Sequence, residues 1–392
     1  MNIKTLLLPA CLYLALAFAS CGSNTGSSNN GTATSATTTD TTGRSQGAWY
    51  RHYEGTIAGQ PVSADIYHTQ QHIHGTYAYH RQDIPLALFQ QHDSSRGDRI
   101  FLYESVLTDR NENDDPTGDH WVISFTGNAI TGKWISRDGK KNYDIQLRET
   151  YDGAYRFALL QHTDSTIITL KSKPHTAISS YDLSIPASGN SAADNAFLTE
   201  CILKKQGCNA ADLRSCLKDR DAAYFKEYMA DFDSSAIDDD MTFELDHERS
   251  VASRVVYSRS GVVVLCYSHY AFSGGAHGMG YDTYLCIDVP GKKVFALPDV
   301  LQADTPVLLS LIEAEVRRQF RIPQGQPLIE RLATESITTL PHEFSFTSTG
   351  IIFHYAPYDI ASYADGEVDL FISFTKLRSL LLPAFVKRMN IQ

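Results

Sequence analysis

Cysteine thiols are the most reactive side chains in this chain, and their spacing limits the chemistry they can do. Cys208 and Cys216 lie eight residues apart, so they could close a short disulfide loop or share one helix. Cys266 and Cys286 flank a glycine-rich turn centred near Ala276. A symmetric hairpin would bring these two face to face, either as a cross-strand bridge or as a free buried pair. None of the spacings has the CxxC form of zinc or redox sites.

The histidines suggest no stronger chemistry. His72 and His74 would share one face of a strand, and two imidazoles at that spacing can begin a metal site. No third ligand stands at a matching spacing, so the sequence predicts no metal and no cofactor. The sequence lacks GxSxG, HExxH and a glycine-rich phosphate loop, and His277 has no evident nucleophile or acid nearby. We therefore expect a non-catalytic protein.

Residues 1–21 have the pattern of a secretory signal. Lys4 precedes an apolar run over residues 5–18, and small residues lead to Cys21. This pattern resembles bacterial lipoprotein signals, which implies cleavage before Cys21 and acylation of that cysteine. An ordinary signal with a chance cysteine is the alternative. Residues 22–24 lack the aspartate that would resemble inner-membrane retention. The expected location is therefore extracytoplasmic, with a lipid anchor in the outer membrane.

Composition divides the remainder of the chain. Residues 22–47 are mostly small and polar, which predicts a flexible tether. Residues 48–392 exceed what one hydrophobic core usually serves, so we expect two domains. The net charge is −11, and −12 once Lys4 is lost with the signal. Such an acidic protein is a poor match for nucleic acid and a good match for a cationic partner.

Residues 48–158 form the first predicted domain. Eight short stretches alternate apolar and polar residues or are rich in β-branched and aromatic residues, with turn residues between them. This predicts a mainly β domain, either a small barrel or a meander, with a general similarity to lipocalin-like or avidin-like barrels. Gly75 and Gly132 stand before aromatic strand residues and predict bends or close backbone approach. The barrel interior could hold a ligand or be filled by side chains.

Residues 159–392 form the second predicted domain. Leu213, Leu217 and Tyr224 recur at helical spacing, and residues 306–320 read as another amphipathic helix. Stretches of strand character joined as hairpins lie between and after them. The sequence predicts an α+β domain with an antiparallel sheet and two main helices.

Three blocks in this domain resemble a known extracellular module. They are FSGGAHG at 272–278 with Tyr281-Asp282 after it, LPDVL at 297–301, and GIIF at 350–353 running into YAPYDIASYADG at 355–366. Their order and spacing are similar to the module of the DUF3298 and DUF4163 type. The lysozyme-sensing anti-sigma-V factor and the N-terminal region of a peptidoglycan deacetylase share that module. The resemblance covers about residues 165–388.

The resemblance implies recognition rather than signalling or catalysis. We expect neither the sigma-binding and membrane-spanning segments of the anti-sigma factor nor the metal-binding catalytic domain of the deacetylase. The module's recognition role, which is lysozyme binding in the anti-sigma factor, is what the resemblance implies here.

A glycine turn and a tyrosine-rich loop are the candidate partner-binding elements. Two glycines permit a tight reversal, and tyrosines can either pack their rings or offer contact surface. Packing and a protein-binding rim are both open interpretations. The candidate residues are Gly274, Gly275, His277, Tyr281, Tyr355, Tyr358 and Tyr363.

Two functions follow from these patterns. The first is a cell-envelope lipoprotein that acts as a non-catalytic binding module for lysozyme or another cationic protein, whose encounter the negative charge would speed. The second is a ligand-holding or structural lipoprotein whose barrel carries a small molecule or a peptidoglycan fragment. In both, a lipid alone contacts the membrane and nucleic acid is no partner.

Overall fold

The computed structural model describes residues 47–69, 72–81, 84–90, 99–106, 118–170, 172–209, 212–231, 245–302 and 305–391. The predicted signal, Cys21 and all but the last residue of the predicted tether lie outside these ranges. Within these ranges no helix has both the length and the apolar content that crossing a membrane requires.

The N-terminal domain is a closed antiparallel barrel of eight strands, each paired with the next and β8 paired with β1. The prediction of a mainly β N-terminal domain is confirmed, in its barrel form. Its strands are β1 (Trp49–Ile57), β2 (Gln60–His68), β3 (Ile73–Tyr79), β4 (Leu86–Phe89), β5 (Ile100–Val106), β6 (His120–Thr126), β7 (Ala129–Ile135) and β8 (Asn142–Glu149).

Large side chains occupy the interior of the barrel. Tyr53, Tyr77 and Trp121 are almost completely buried there, among aliphatic residues from all the longer strands. Two glycines let neighbouring backbones approach: a Cβ at Gly75 or Gly132 would lie 2.2 Å from a carbonyl oxygen of the adjacent strand. Since side chains fill the interior, a ligand of this barrel would have to bind at one of its ends.

A six-stranded sheet follows, in the order β14-β13-β12-β11-β10-β9. Helices α1 and α2 connect β10 to β11, and this crossover makes β10 and β11 parallel in an otherwise antiparallel sheet. The elements are β9 (Phe157–Leu170), β10 (Lys173–Pro186), α1 (Ala192–Lys205), α2 (Leu213–Asp231), β11 (His247–Arg259), β12 (Val262–Phe272), β13 (Met279–Asp288) and β14 (Lys293–Val294).

A second sheet and four helices complete the chain. The sheet has the antiparallel order β15-β16-β17. The elements are α3 (Leu297–Val300), α4 (Thr305–Gln319), β15 (Glu343–Phe346), β16 (Gly350–Tyr355), β17 (Val368–Ser373), α5 (Phe374–Leu377) and α6 (Pro383–Met389). The α+β architecture is confirmed, with three long helices where the sequence predicted two. The extra one is α1, for which the sequence predicted no main helix; it ends ahead of Gly207, whose φ of 66° separates it from α2.

Strand β12 is the centre of this architecture, because it is buried on both faces. Val262 and Val264 face the core shared with the second sheet and α4, whereas Val263 and Leu265 face the core under α1 and α2. The barrel joins the second of these cores through Tyr67, whose hydroxyl accepts a hydrogen bond from the Val255 backbone N–H. The three-stranded sheet, the central sheet and its helices therefore form one continuous packed body with the barrel.

The cysteines differ in their states. Cys208 and Cys216 form a disulfide that joins the end of α1 to the start of α2, with Cα atoms 5.7 Å apart. The alternative of a Cys266–Cys286 bridge is wrong, since both are free and buried. The hairpin is centred on Gly275 rather than Ala276, and moving the centre by one residue moves every partner by two, so Cys266 lies opposite Tyr284.

Candidate functional site

The hairpin tip, residues 272–282, joins β12 to β13 and carries the first part of the candidate site. Gly274 and Gly275 both adopt positive φ, 87° and 86°, which L side chains rarely do. Gly278 is also sterically required, because a Cβ there would lie 2.4 Å from the Tyr270 hydroxyl oxygen. The backbone conformation of the tip therefore requires glycine at these positions.

The tyrosine loop, residues 355–367, joins β16 to β17 and is held by its own side chains. Asp359 accepts a hydrogen bond from the Ala356 N–H at 2.8 Å. Ser362 and Asp365 form a reciprocal cap on a short 3-10 turn, and Arg331 pairs with Asp365 at 3.2 Å. Because both ends of the loop are bonded, its aromatic side chains stand on a rigid base.

The two segments, together called the rim, touch through aromatic rings. His277 of the tip stacks on Tyr363 of the loop, with ring centroids 3.9 Å apart and planes 16° apart. The Tyr363 hydroxyl donates to the Gly278 carbonyl at 2.8 Å, and His277 Nδ1 donates to the same oxygen at 3.0 Å. Tyr358 extends the stack, with its ring 5.8 Å from that of Tyr363. His277 and Tyr363, which are 86 positions apart in sequence, thus form one continuous ladder of rings with Tyr358.

Tyr358 combines exposure with an unfavourable backbone. Its side chain is 54% exposed although it is aromatic, and its φ is 73°. A bulky residue in the left-handed region costs about 1 kcal/mol or more, a cost that glycine avoids. Neither feature stabilises the fold, and such outliers concentrate at functional sites.

A pair of carboxyl groups clamps β13 of the hairpin to the end of the tyrosine loop. Glu367 accepts a hydrogen bond from the Asp282 backbone N–H, and Arg254 pairs with the Asp282 side chain at 3.3 Å. Burial, and then the nearby charge of Asp282, raise the pKa of Glu367 to about 8. Sequence reasoning missed Glu367, because its partner lies 85 residues away; its position directly after the loop glycine was the one available signal.

The two remaining tyrosines among the candidates behave differently. Tyr281 is 43% exposed on β13 and stacks on His269 with centroids 4.9 Å apart, so it adds an aromatic surface beside the tip. Tyr355 does not belong to the surface: it is buried, and its hydroxyl donates to the Thr339 carbonyl at 3.0 Å. It ends a strand whose six residues are all buried, so it acts as a core residue, and its proposed contact role is wrong.

Behind the rim, three strands form a serine–histidine–aspartate chain that the sequence did not reveal. Ser345 Oγ lies 2.8 Å from His354 Nε2, and His354 Nδ1 lies 2.6 Å from Asp369 Oδ1. The Tyr284 ring covers the imidazole at a centroid distance of 3.7 Å. In hydrolytic triads the nucleophile meets solvent and the acid is buried, whereas here Ser345 is 3% exposed and the Asp369 side chain 21%. The exposure of the two ends is thus the reverse of that in a triad. The three side chains satisfy one another's buried polar groups, and Ser345 is not presented as a nucleophile.

The histidine pair of the barrel does not assemble a metal site. His74 stacks on Tyr67 at 5.4 Å, and burial followed by the charge of Arg254 lowers its pKa to about 4, which keeps the imidazole neutral. Among the residues that the structure describes, no group of three or more histidine, cysteine or acidic side chains is placed to hold a metal ion.

The rim carries little net charge of its own. Its two segments contain no lysine or arginine in the sequence, and their acidic residues are Asp282, Asp359, Asp365 and Glu367. Arg254 and Arg331 from outside the rim pair with Asp282 and Asp365, and the raised pKa of Glu367 keeps that carboxyl group protonated near neutral pH. Asp359 is exposed, so the rim combines exposed aromatic rings and a preset backbone with one exposed carboxylate, a combination that can bind a protein surface.

Comparison with known proteins gives the family of one part of the chain. Residues 298–375, which include the tyrosine loop but not the hairpin tip, match the family model DUF3298, described as a protein of unknown function. The DUF3298 part of the predicted resemblance is thereby confirmed for those residues. Among curated proteins, none matches the chain.

Two solved structures are similar to the chain. A DUF3298 family member from Bacteroides fragilis has a TM-score of 0.54 and 19% identity, over 62% of this chain and 100% of that one. A DUF3298 family protein from Pseudomonas aeruginosa has a TM-score of 0.40 and 16% identity, over 58% of this chain and 96% of that one. At this identity the first likeness shows a shared fold alone.

Proposed function

We propose that this chain is a cell-envelope lipoprotein whose rim is a non-catalytic binding site for a cationic protein, with lysozyme as the first candidate. The observation that carries the proposal is Tyr358, an exposed aromatic side chain kept at positive φ on a loop that Asp359 and Asp365 hold through their bonds to Ala356 and Arg331. A residue that costs stability and faces solvent is explained by contact with a partner.

Rigid tyrosines suit this role. Tyr358 and Tyr281 offer large amphipathic surfaces, and a tyrosine loses little conformational entropy on binding because it has few rotatable bonds. The Tyr358 ring stacks on Tyr363, which is itself stacked on His277, so the surface exists before a partner arrives. Preset contact surfaces lower the cost of ordering on association.

Charge selects the class of partner. The net charge of −11 attracts a basic protein and repels acidic ones, and the exposed Asp359 adds to this attraction at the rim. Charges at the border of such a surface act mainly on the association rate and on its salt dependence. A cationic protein that attacks the cell envelope fits this surface and the extracytoplasmic location expected for a chain anchored through Cys21.

The proposal gives the protein no catalytic role. The serine–histidine–aspartate chain lies beneath Tyr284 with Ser345 buried, and the one rim hydroxyl bonded to a carboxylate, that of Ser362 to Asp365 at 2.6 Å, caps the 3-10 turn of the loop. By binding the cationic protein, the lipoprotein would sequester it and so protect the peptidoglycan.

Isothermal titration of the purified protein with lysozyme tests the proposal. We expect binding that weakens as salt is added, and a loss of at least tenfold in affinity for Tyr358→Ala, since a central aromatic contact is worth more than about 1.4 kcal/mol. Tyr143→Ala is the matched control, because Tyr143 is 41% exposed on the barrel and stacks on Trp134. Absence of heat, or equal weakening by both variants, would refute the rim as the binding site.

A further inference from the structure

The outer strand of the central sheet, β9, has an unprotected edge. It pairs with β10 along all 14 residues without a bulge, and among the described strands none lies on its other side. Its first half is covered, because Phe157 packs against Tyr50 of the barrel and His162 bonds Asp221 of α2. Residues 163–170 remain as a straight edge whose alternate N–H and C=O groups are directed away from β10, and within it the Ser165 N–H donates to the Asp164 carboxylate at 2.8 Å.

This edge also carries an exposed apolar patch. Ile167 is 64% exposed, the highest value among the large apolar side chains of the described residues. Ile178 on β10 is 37% exposed and lies on the same face, since the register places it opposite Ser165. Edge strands of monomeric proteins are usually protected by lysine, proline or a bulge, and β9 contains no lysine, arginine, proline or bulge.

We propose that β9 pairs antiparallel with β9 of a second copy, with the twofold axis at Ile167, to form one continuous twelve-stranded sheet. At this register Ile167 meets its own symmetry mate, and Ser165 lies opposite Thr169 of the second copy. This register pairs residues 164–170 of one copy with residues 170–164 of the other, so each outward backbone group in that stretch meets its equivalent.

Charge complementarity favours this register. With the axis at Ile167, Asp164 lies opposite Leu170 of the second copy, and Leu170 pairs with Lys173 within its own hairpin. Asp164 and Lys173 of the second copy therefore share one row and one face, two strands or about 10 Å apart at their Cα atoms, within reach of a lysine side chain. Symmetry makes two such pairs around the central isoleucines.

Cysteine cross-linking of the full-length protein in its membrane tests this proposal. Antiparallel partners have Cα separations of about 4.5 to 5.5 Å, which a disulfide can span. We expect Ile167→Cys to give at least tenfold more covalent dimer on mild oxidation than Thr163→Cys. Thr163 is also exposed on the same strand but lies four residues from the axis, hence far from its mate. The free cysteines among the described residues, Cys201, Cys266 and Cys286, are buried and should not contribute.

Ile167→Lys provides the second measurement. This variant places two like charges at the axis. We expect the wild-type protein to sediment as a dimer and Ile167→Lys as a monomer. The control Ile329→Lys, at another exposed isoleucine, should remain a dimer. Circular dichroism checks that both variants fold. A monomeric wild-type protein, or equal cross-linking through positions 163 and 167, would overturn the proposal without affecting partner binding at the rim.

Discussion

Tyr363 should be the structural support of the rim, and Tyr358 its contact residue, so their alanine variants should differ in stability. Tyr363→Ala removes the hydrogen bond to the Gly278 carbonyl, worth about 1 kcal/mol, and the stack on His277, worth about as much. The expected loss is about 2 kcal/mol, or roughly 4 to 8 °C in the melting temperature of the α+β domain. Tyr358→Ala loses only an exposed stack and should cost about 0.5 kcal/mol.

Two optical signals separate the domains in this experiment. All three tryptophans, Trp49, Trp121 and Trp134, belong to the barrel, so their fluorescence follows barrel unfolding. Far-ultraviolet circular dichroism follows the helices, and those found among the described residues all lie in the second domain. We expect Tyr363→Ala to lower the helix transition more than the tryptophan transition. An unchanged melting temperature for Tyr363→Ala, or equal losses for both tyrosine variants, would refute the division between support and contact.

The remaining predictions concern pH, the disulfide and the tip. Burial alone would lower the pKa of His52, but Asp65 and Glu54 outweigh burial and raise this pKa to about 9. Barrel stability, measured by tryptophan fluorescence, should therefore fall as pH rises from about 6.5 to about 9. The His52→Gln variant should lack that pH dependence. Since the pKa of Glu367 is raised from 4.5 to about 8, the stability of the α+β domain should fall as pH rises across that interval, and Glu367→Gln should flatten the decline seen by circular dichroism. Cys208→Ser opens an eight-residue loop and should cost about 2.5 kcal/mol in urea unfolding of the helices. Gly278→Ala should displace the rim and weaken partner binding in titration, whereas Gly139→Ala on a barrel turn should leave binding unchanged.

Local patterns predicted the barrel and the helices because their signals lie within short windows. The alternation in each barrel strand is a property of about eight neighbouring residues, and Leu308, Ile312 and Val316 of α4 are all fully buried, as their helical spacing predicts. Gly75 was also readable, because a glycine inside a strand pattern indicates close backbone approach.

Contacts between distant segments escaped prediction for a physical reason. The position of a hairpin centre within a six-residue loop is not encoded by alternation, and a shift of one residue was enough to separate Cys266 from Cys286 by two positions. The His277–Tyr363 stack depends on how the second sheet packs beside β13, which no local pattern specifies.

Tyr355 shows how a readable signal can be misassigned. The run Gly350–Tyr355 is apolar at nearly every position, which is typical of a strand buried on both faces. Its last residue therefore belonged to the core, although the neighbouring tyrosines made a surface role attractive. By contrast, the positive φ of Tyr358 escaped prediction because tyrosine is not a residue type that marks a left-handed position, although Ala356 and Asp359 bond each other on either side of it.

Hydrogen–deuterium exchange of the full chain with and without lysozyme is the sharpest test of binding at the rim, because it locates the contact. We expect slower exchange on binding at residues 272–282 and 355–367, with the barrel unchanged. The protection should disappear in Tyr358→Ala and diminish as salt is added. Protection confined to the barrel or to β9, or none at a lysozyme concentration that saturates the titration, would contradict a binding role for the rim.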